Sequence, residues 1–138
     1  MLANLKSQFY SLIKGLGYNI TDNAEYKEQF PWLMLRTNGY RTMNSFNVNI
    51  SSAVLVLDIF STYSGEKEII EIVENIGEHL KELQDNNPDI MFAYQKTLKI
   101  LDDKSTGPVR KHGVVTYAFL LGYGIAPAEE VPDVEPEN

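Results

Sequence analysis

The sequence contains no cysteine, and this absence excludes a disulfide framework, a thiol nucleophile and a thiolate metal site. It also has no run of the roughly 20 apolar residues that a membrane-spanning helix needs, so we expect no membrane segment. Basic residues are few, since 12 Lys and Arg stand against 19 Asp and Glu for a net charge of −7. Because nucleic-acid affinity depends largely on clustered Lys and Arg, this balance disfavours a protein that binds the phosphate backbone.

Motifs for phosphate and metal binding are also missing. The corner Ser64-Gly65-Glu66-Lys67 lies between an apolar strand and a helix, but it has one glycine and no Lys-Ser or Lys-Thr pair, both of which a Walker loop requires. The two histidines, His79 and His112, are not related by a metal-ligand spacing. We therefore predict no cofactor, no metal ion and no catalytic residues, and we expect Ser64 or Gly65 to be a helix N-cap.

Two segments have the apolar spacing of amphipathic helices, residues 2–16 and residues 66–84. In the second, six apolar side chains form one continuous stripe and the glutamates lie outside it. The predicted stripe consists of Ile69, Ile72, Val73, Ile76, Leu80 and Leu83. Gly17 is placed to end the first helix, and Asn86-Asn87-Pro88 to end the second.

Apolar runs between these helices and after them predict strands. The predicted strands cover residues 29–36, 53–61, 90–101 and 109–123, with a less buried hairpin arm over 41–52 after a turn at Asn38-Gly39. Residues 18–28 are polar and irregular. The order α-β-β-β-α-β-β predicts an α+β fold, in which two helices pack on one face of a largely antiparallel sheet with an extended β-arm hairpin.

The chain length favours one domain. A chain of 138 residues supports one sizeable core and makes a second independent core improbable, so we predict a single α+β domain over residues 1–125. Residues 126–138 contain three prolines and five acids. We expect this acidic tail to be disordered or to gain structure only on a partner.

Asp58 interrupts the apolar run of residues 53–61. Strand alternation places it on the same face as Val56 and Phe60 and opposite to Leu57. It is either a catalytic carboxylate with a raised pKa, or a residue at the end of the buried part of the strand, or one that pairs with a Lys or Arg at a subunit contact. The second and third interpretations are favoured, because no partner acid, histidine or nucleophile motif stands out.

The arrangement of elements resembles the tail terminator and tail-completion (head-to-tail joining) proteins of long-tailed bacteriophages. The resemblance is carried by Phe30-Pro31-Trp32-Leu33-Met34-Leu35, by the strand from Val54 to Ser61, by Tyr63-Ser64-Gly65-Glu66 and by the helix over 69–83. The strand-to-helix joint, apolar-Asp-Ile-aromatic-Ser followed by Gly, is its most recognisable part. The resemblance extends over residues 1 to 123, and the acidic tail has no place in the pattern.

This resemblance implies a structural virion protein with no chemistry of its own. Such proteins assemble as hexameric rings that cap the tail tube, stop its polymerisation and join the tail to the head. The implied partners are further copies of the chain, the tail-tube protein and a head-completion or connector protein. DNA would pass through an acidic lumen without specific binding, at the head-proximal end of the virion tail.

The arm from Arg36 to Ser52 is the predicted contact element, because it is polar enough to stay solvated and has apolar residues that can add to a neighbour's sheet. The predicted interface residues are Arg36, Tyr40, Arg41, Phe46 and Asp58. Two alternatives stay open. One is another head–tail connector component, a stopper or adaptor, and the other is a small α+β enzyme with a site around Asp58 or His112.

Overall fold

The computed structural model describes residues 2–21, 29–45 and 48–122. In chain order its elements are α1 (Leu2–Gly15), β1 (Asn19–Thr21), β2 (Trp32–Ser45), β3 (Val48–Ser61), α2 (Lys67–Asp85), β4 (Ile90–Asp102) and β5 (Lys111–Gly122). The predicted α+β class and the predicted order α-β-β-β-α-β-β are confirmed. Within the predicted domain the described residues end at Gly122, and the predicted acidic tail, 126–138, lies outside them.

The five strands form one sheet in the order β1-β2-β3-β5-β4. β1 pairs with β2 in parallel, and every other neighbouring pair is antiparallel. β3 lies at the centre of this order, and β4 forms one edge of the sheet. The sheet is therefore largely antiparallel, as the segregation of strands into hairpins predicts.

Both helices pack on the same side of the sheet, which we call the helix-covered face. On this face Phe9 of α1 makes edge-to-face contacts with Tyr117 and Phe119 of β5, at centroid distances of 4.9 and 5.6 Å. All six residues of the predicted α2 stripe are buried in the same apolar cluster as Leu55, Leu57 and Ile59 of β3. The opposite side, which we call the open face, carries the alternate residues of each strand and has no helix over it in the described part of the chain.

The strands before α2 are divided differently from the prediction. The predicted segments 29–36, 41–52 and 53–61 form only two strands, β2 and β3, which pair from Trp32 with Phe60 to Ser45 with Val48. The predicted turn at Asn38-Gly39 is wrong, because the register shifts between Thr37 and Tyr40 and Gly39 adopts a φ of +131°. A β-bulge absorbs the Asn-Gly pair here and the strand continues. The additional strand is β1, in a segment predicted to be irregular.

Two of the three predicted helix ends are confirmed, since α2 ends at Asp85 with Asn86 as its C-cap and Gly17 follows α1. Gly17 has a φ of +97°, and its amide donates to the Lys14 carbonyl, as expected for a glycine that ends a helix. The predicted N-cap of α2 at Ser64 or Gly65 is wrong, because the N-cap position is occupied by Glu66 and no side chain caps it. Glu68 in the first turn accepts a hydrogen bond of 2.6 Å from the Ser61 hydroxyl instead.

The start of α2 approaches the sheet closely at Gly113 of β5. A Cβ atom added there would lie 2.7 Å from Cγ2 of Ile69 and 3.6 Å from Cβ of Ile59. Both isoleucines are fully buried, so neither side chain can move into solvent. The absence of a side chain at Gly113 therefore sets the distance between α2 and the strands below it.

We expect Gly113→Ala to lower the free energy of unfolding by about 1–3 kcal/mol, because the added methyl overpacks this contact. Ile69→Leu removes the Cγ2 methyl, so Gly113→Ala should cost less in that background. The control is Gly77→Ala on the exposed side of α2, where nothing lies within 4 Å and the substitution should stabilise the helix. Urea unfolding measures all four variants, and equal costs of Gly113→Ala in both backgrounds would contradict the contact.

Candidate functional site

Three rings form a ladder across the open face. Trp32 of β2, Phe60 of β3 and His112 of β5 lie directly opposite one another in the strand register. The Trp32 and Phe60 rings stack at 4.8 Å with an interplanar angle of 25°, and the Phe60 and His112 rings at 4.5 Å and 17°. Trp32 also donates a 3.0 Å hydrogen bond to the Thr21 hydroxyl of β1. The ladder ties four strands together on the side of the sheet that no described helix covers.

Asp58 lies beside this ladder and accepts hydrogen bonds from an arginine and a histidine side chain. Nε of Arg36 donates to Oδ2 of Asp58 at 2.7 Å, and Nε2 of His112 donates to Oδ1 at 2.9 Å. The Asp58 side chain is 4% exposed, against 47% for Arg36 and 28% for His112. The buried carboxylate therefore has two hydrogen-bond donors that are themselves partly exposed to solvent, one on each neighbouring strand.

The environment of Asp58 favours its charged form. Burial by itself raises the pKa of the carboxyl, but hydrogen bonds and positive charge from His112 and Arg36 outweigh burial and hold the pKa below the ordinary value of 3.8. A general acid or base working near neutral pH needs a shift in the other direction. Both carboxylate oxygens are also occupied by donors, so the geometry is that of a structural ion pair and not of a catalytic carboxylate.

The partners of Asp58 include one that sequence reasoning missed. The interpretation that Asp58 pairs with an arginine is correct, but Arg36 belongs to the same chain, so no subunit contact is needed for the pair. His112 lies 54 residues away from Asp58 along the chain, so no local spacing relates the two side chains. The signal that could have found it is the pairing of β3 with β5, which places His112 opposite Phe60 and diagonal to Asp58.

We expect Asp58→Asn to destabilise the protein by about 2 kcal/mol near pH 7, because it removes the charged acceptor of two partly buried hydrogen bonds. Since the folded-state pKa of Asp58 is lowered, its contribution is fully present well above about pH 4 and is lost as the pH falls through the folded-state value. The difference between wild type and variant should therefore shrink in acid. Urea unfolding from about pH 7 to pH 3 measures it.

Asp85→Asn is the matched control for this experiment. Asp85 is exposed and pairs only loosely with Lys81 at 3.4 Å, so the same substitution should leave stability nearly unchanged at every pH. A cost of Asp58→Asn that stayed constant down to pH 3 would show that packing, and not the charge, explains the effect. A cost equal to that of the control would show that the buried pair is energetically neutral.

The predicted interface residues are dispersed along β2 and β3. Arg36 and Asp58 are brought together, and Asp58 is buried. Tyr40 and Arg41 are exposed and lie beyond the bulge, where the Tyr40 hydroxyl donates to Ser51 at 3.3 Å and Arg41 lies opposite Ser52. Phe46 lies outside the described residues. Arg36, Tyr40 and Arg41 thus remain accessible candidates for contact with a partner.

The outer edge of β2 is the other feature of this region. β1 covers that edge only from Trp32 to Met34, where it pairs with Asn19–Thr21. Among the described strands, none lies beside the remainder of β2 on this side. A long antiparallel strand with such an edge presents main-chain donors and acceptors to another strand. The predicted contact arm therefore forms part of the long β2–β3 hairpin, and no described strand pairs with its outer edge.

Neither histidine belongs to a metal centre in the described ranges, which contain no cluster of three or more His, Asp or Glu side chains that could hold an ion. His79 donates from Nδ1 to the Asn75 carbonyl one turn earlier in α2. Of the described helices, neither is long and apolar enough to cross a membrane. Compared with models of known protein families and with curated protein sequences, the chain gives no match to either.

Proposed function

We propose that this chain is a structural virion protein of the tail-terminator type, which forms a ring that caps the tail tube of a long-tailed bacteriophage and joins it to the head. The observation that carries the proposal is the outer edge of β2 beyond Met34, beside which none of the described strands lies, with Tyr40 and Arg41 exposed there. It agrees with the resemblance in the strand-to-helix joint, which also implies assembly through subunit contacts.

The edge supports self-association through strand addition. A neighbouring subunit that pairs with β2 satisfies main-chain groups along the strand, while alternating side chains give specificity. The bulge at Gly39 twists the strand at its midpoint, so only a partner with a complementary twist fits. A closed ring uses each such edge once, which prevents the open-ended aggregation that a free edge otherwise invites.

The negative charge on the exposed side of α2 fits a surface past which DNA moves without being bound. Exposed glutamates lie along the solvent side of α2, on the far side of the helix from the sheet: Glu71, Glu74, Glu78 and Glu82. A surface of this sign repels the phosphate backbone. If this side of α2 faces the ring lumen, the acidic excess of the chain has a physical role there.

The same geometry also fits a stopper or adaptor, since these connector components assemble through subunit contacts as well. The enzyme alternative is weaker, because the Asp58 cluster has the hydrogen bonds and lowered pKa of a structural pair. What separates a terminator from a stopper or adaptor is the partner, since a terminator binds the end of the tail tube.

The functional test is tail-tube growth in the presence of the purified protein. We expect substoichiometric amounts relative to tube subunits to arrest polymerisation, with rings at one tube end in electron micrographs. A stopper or adaptor would leave tube length unchanged and bind the head-completion complex instead. A protein that is monomeric at all concentrations and binds neither tubes nor the head complex would refute a connector role altogether.

Charge reversal at the β2 edge tests the contact element. We expect Arg41→Glu to reduce assembly about tenfold or more, because it places an acid in the contact of a chain that is already strongly acidic. Lys81→Glu, which makes the same charge change on the exposed side of α2, is the matched control. Sedimentation velocity measures assembly and thermal unfolding verifies the fold. Equal effects of the two substitutions would show that net charge, and not the edge, governs association.

A further inference from the structure

The open face carries a shallow apolar groove where β3, β5 and β4 run side by side. Its volume is about 440 Å³, and its walls include Val54, Ala118 and Leu120 together with two aromatic side chains of the edge strand β4. The aromatic residues are Phe92 and Tyr94, which are 54% and 43% exposed and whose rings lie 5.3 Å apart. Two large exposed aromatic rings beside an apolar floor are the typical lining of a peptide-binding groove.

The charge of this face is opposite to that of the chain as a whole. Strand register places Arg36, Arg41 and Lys99 on the open face, and Lys96, the extra residue of a β4 bulge, lines the groove. Asp58 is the one acid at the open-face positions of the described strands, and it is buried and paired. A basic, aromatic-lined groove on a protein of net charge −7 is complementary to an acidic segment.

The chain itself supplies a segment of that chemistry. Residues 126–138 contain three prolines and five acids, with Val131 and Val134 as apolar positions. Proline-rich segments are suited to aromatic grooves because their extended conformation costs little entropy to fix. The carboxylates are complementary in charge to Lys96 of the groove and to Lys99 farther along the same face, and the prolines and valines suit the aromatic and aliphatic walls.

The end of β5 places this segment within reach. The strand ends at Gly122, whose amide donates to the Asp89 carbonyl at 2.9 Å, and Leu120 of the same strand already lines the groove. Ala118 lies four residues back along the strand, about 13 Å away. Six residues separate Gly122 from Ala128, and six residues can span about 20 Å, which exceeds that distance.

We propose that residues 126–138 dock in the groove of the same molecule, with their prolines and valines against Phe92 and Tyr94 and their carboxylates beside Lys96 and Lys99. This contact covers apolar surface of the free subunit and neutralises part of its basic face. It is independent of the proposed function, since it is measured on the isolated subunit and requires neither a ring nor a tail tube.

Disulfide trapping tests the contact directly, because the chain has no cysteine of its own. The full-length double variant Ala118→Cys/Ala128→Cys places one thiol in the groove and one in the tail. The control, Asp85→Cys/Ala128→Cys, places the first thiol on the exposed last turn of α2, four residues before Asp89 and therefore close to the point where the tail begins. Oxidised glutathione accepts the two electrons, and mass spectrometry after proteolysis identifies the disulfide.

We expect the groove pair to form an intramolecular disulfide about tenfold or more faster than the control pair, since docking raises the effective concentration of the two thiols. Adding Lys96→Glu, or Tyr94→Ser, should slow trapping of the groove pair and leave the control pair unchanged. Raising the ionic strength from about 0.05 M to about 0.5 M should slow it as well.

Equal trapping rates for the two pairs would overturn the proposal, because a tail with no preferred site samples both positions alike. Disulfides that link two molecules, and disappear on dilution, would also overturn it and would show that the tail binds a neighbouring copy. Thermal unfolding of each reduced variant verifies that it is folded, so a slow rate cannot be attributed to loss of structure.

Discussion

The central strand β3 is buried on both faces, although both described helices pack on only one of them. On the helix-covered face, Leu55, Leu57 and Ile59 are fully buried beneath the helices. On the open face the sheet covers β3 with its own side chains, so that Val56 and Asp58 are nearly inaccessible without a helix above them. On this face the cover consists of the aromatic ladder of Trp32, Phe60 and His112 and of the Asp58 ion pair.

This constraint explains why a charged residue is tolerated at the centre of the sheet. A buried carboxylate is stable only when its hydrogen bonds and charge are matched, and β2 and β5 each supply a donor from an adjacent position. The two donors, Arg36 and His112, are partly exposed, which leaves their outer sides hydrated and lowers the desolvation cost. Pairing also fixes register, since a shift of one residue in either neighbour would remove a donor from Asp58.

Periodic features of the chain could be predicted from sequence because they depend on local repetition. The apolar stripe of α2, the alternation around Asp58 and the glycine that ends α1 all follow from spacing within one element. Features that depend on a second element could not be predicted in the same way. At Gly39 a bulge continues the strand where the Asn-Gly pair predicts a turn. The pairing of Asp58 with His112 can be predicted only when it is known that β5 adjoins β3.

The outer edge of β2 beyond Met34, which no described strand covers, is the surface through which we propose that the chain assembles. Amide hydrogen exchange of residues 35–43 tests that role most directly. In an antiparallel strand every second amide points away from β3, so these amides should exchange fast in the isolated subunit and slowly in the assembled ring. Protection at those alternate positions on assembly is the result that the account predicts. Unchanged exchange along β2, with protection appearing elsewhere on the molecule, would contradict it.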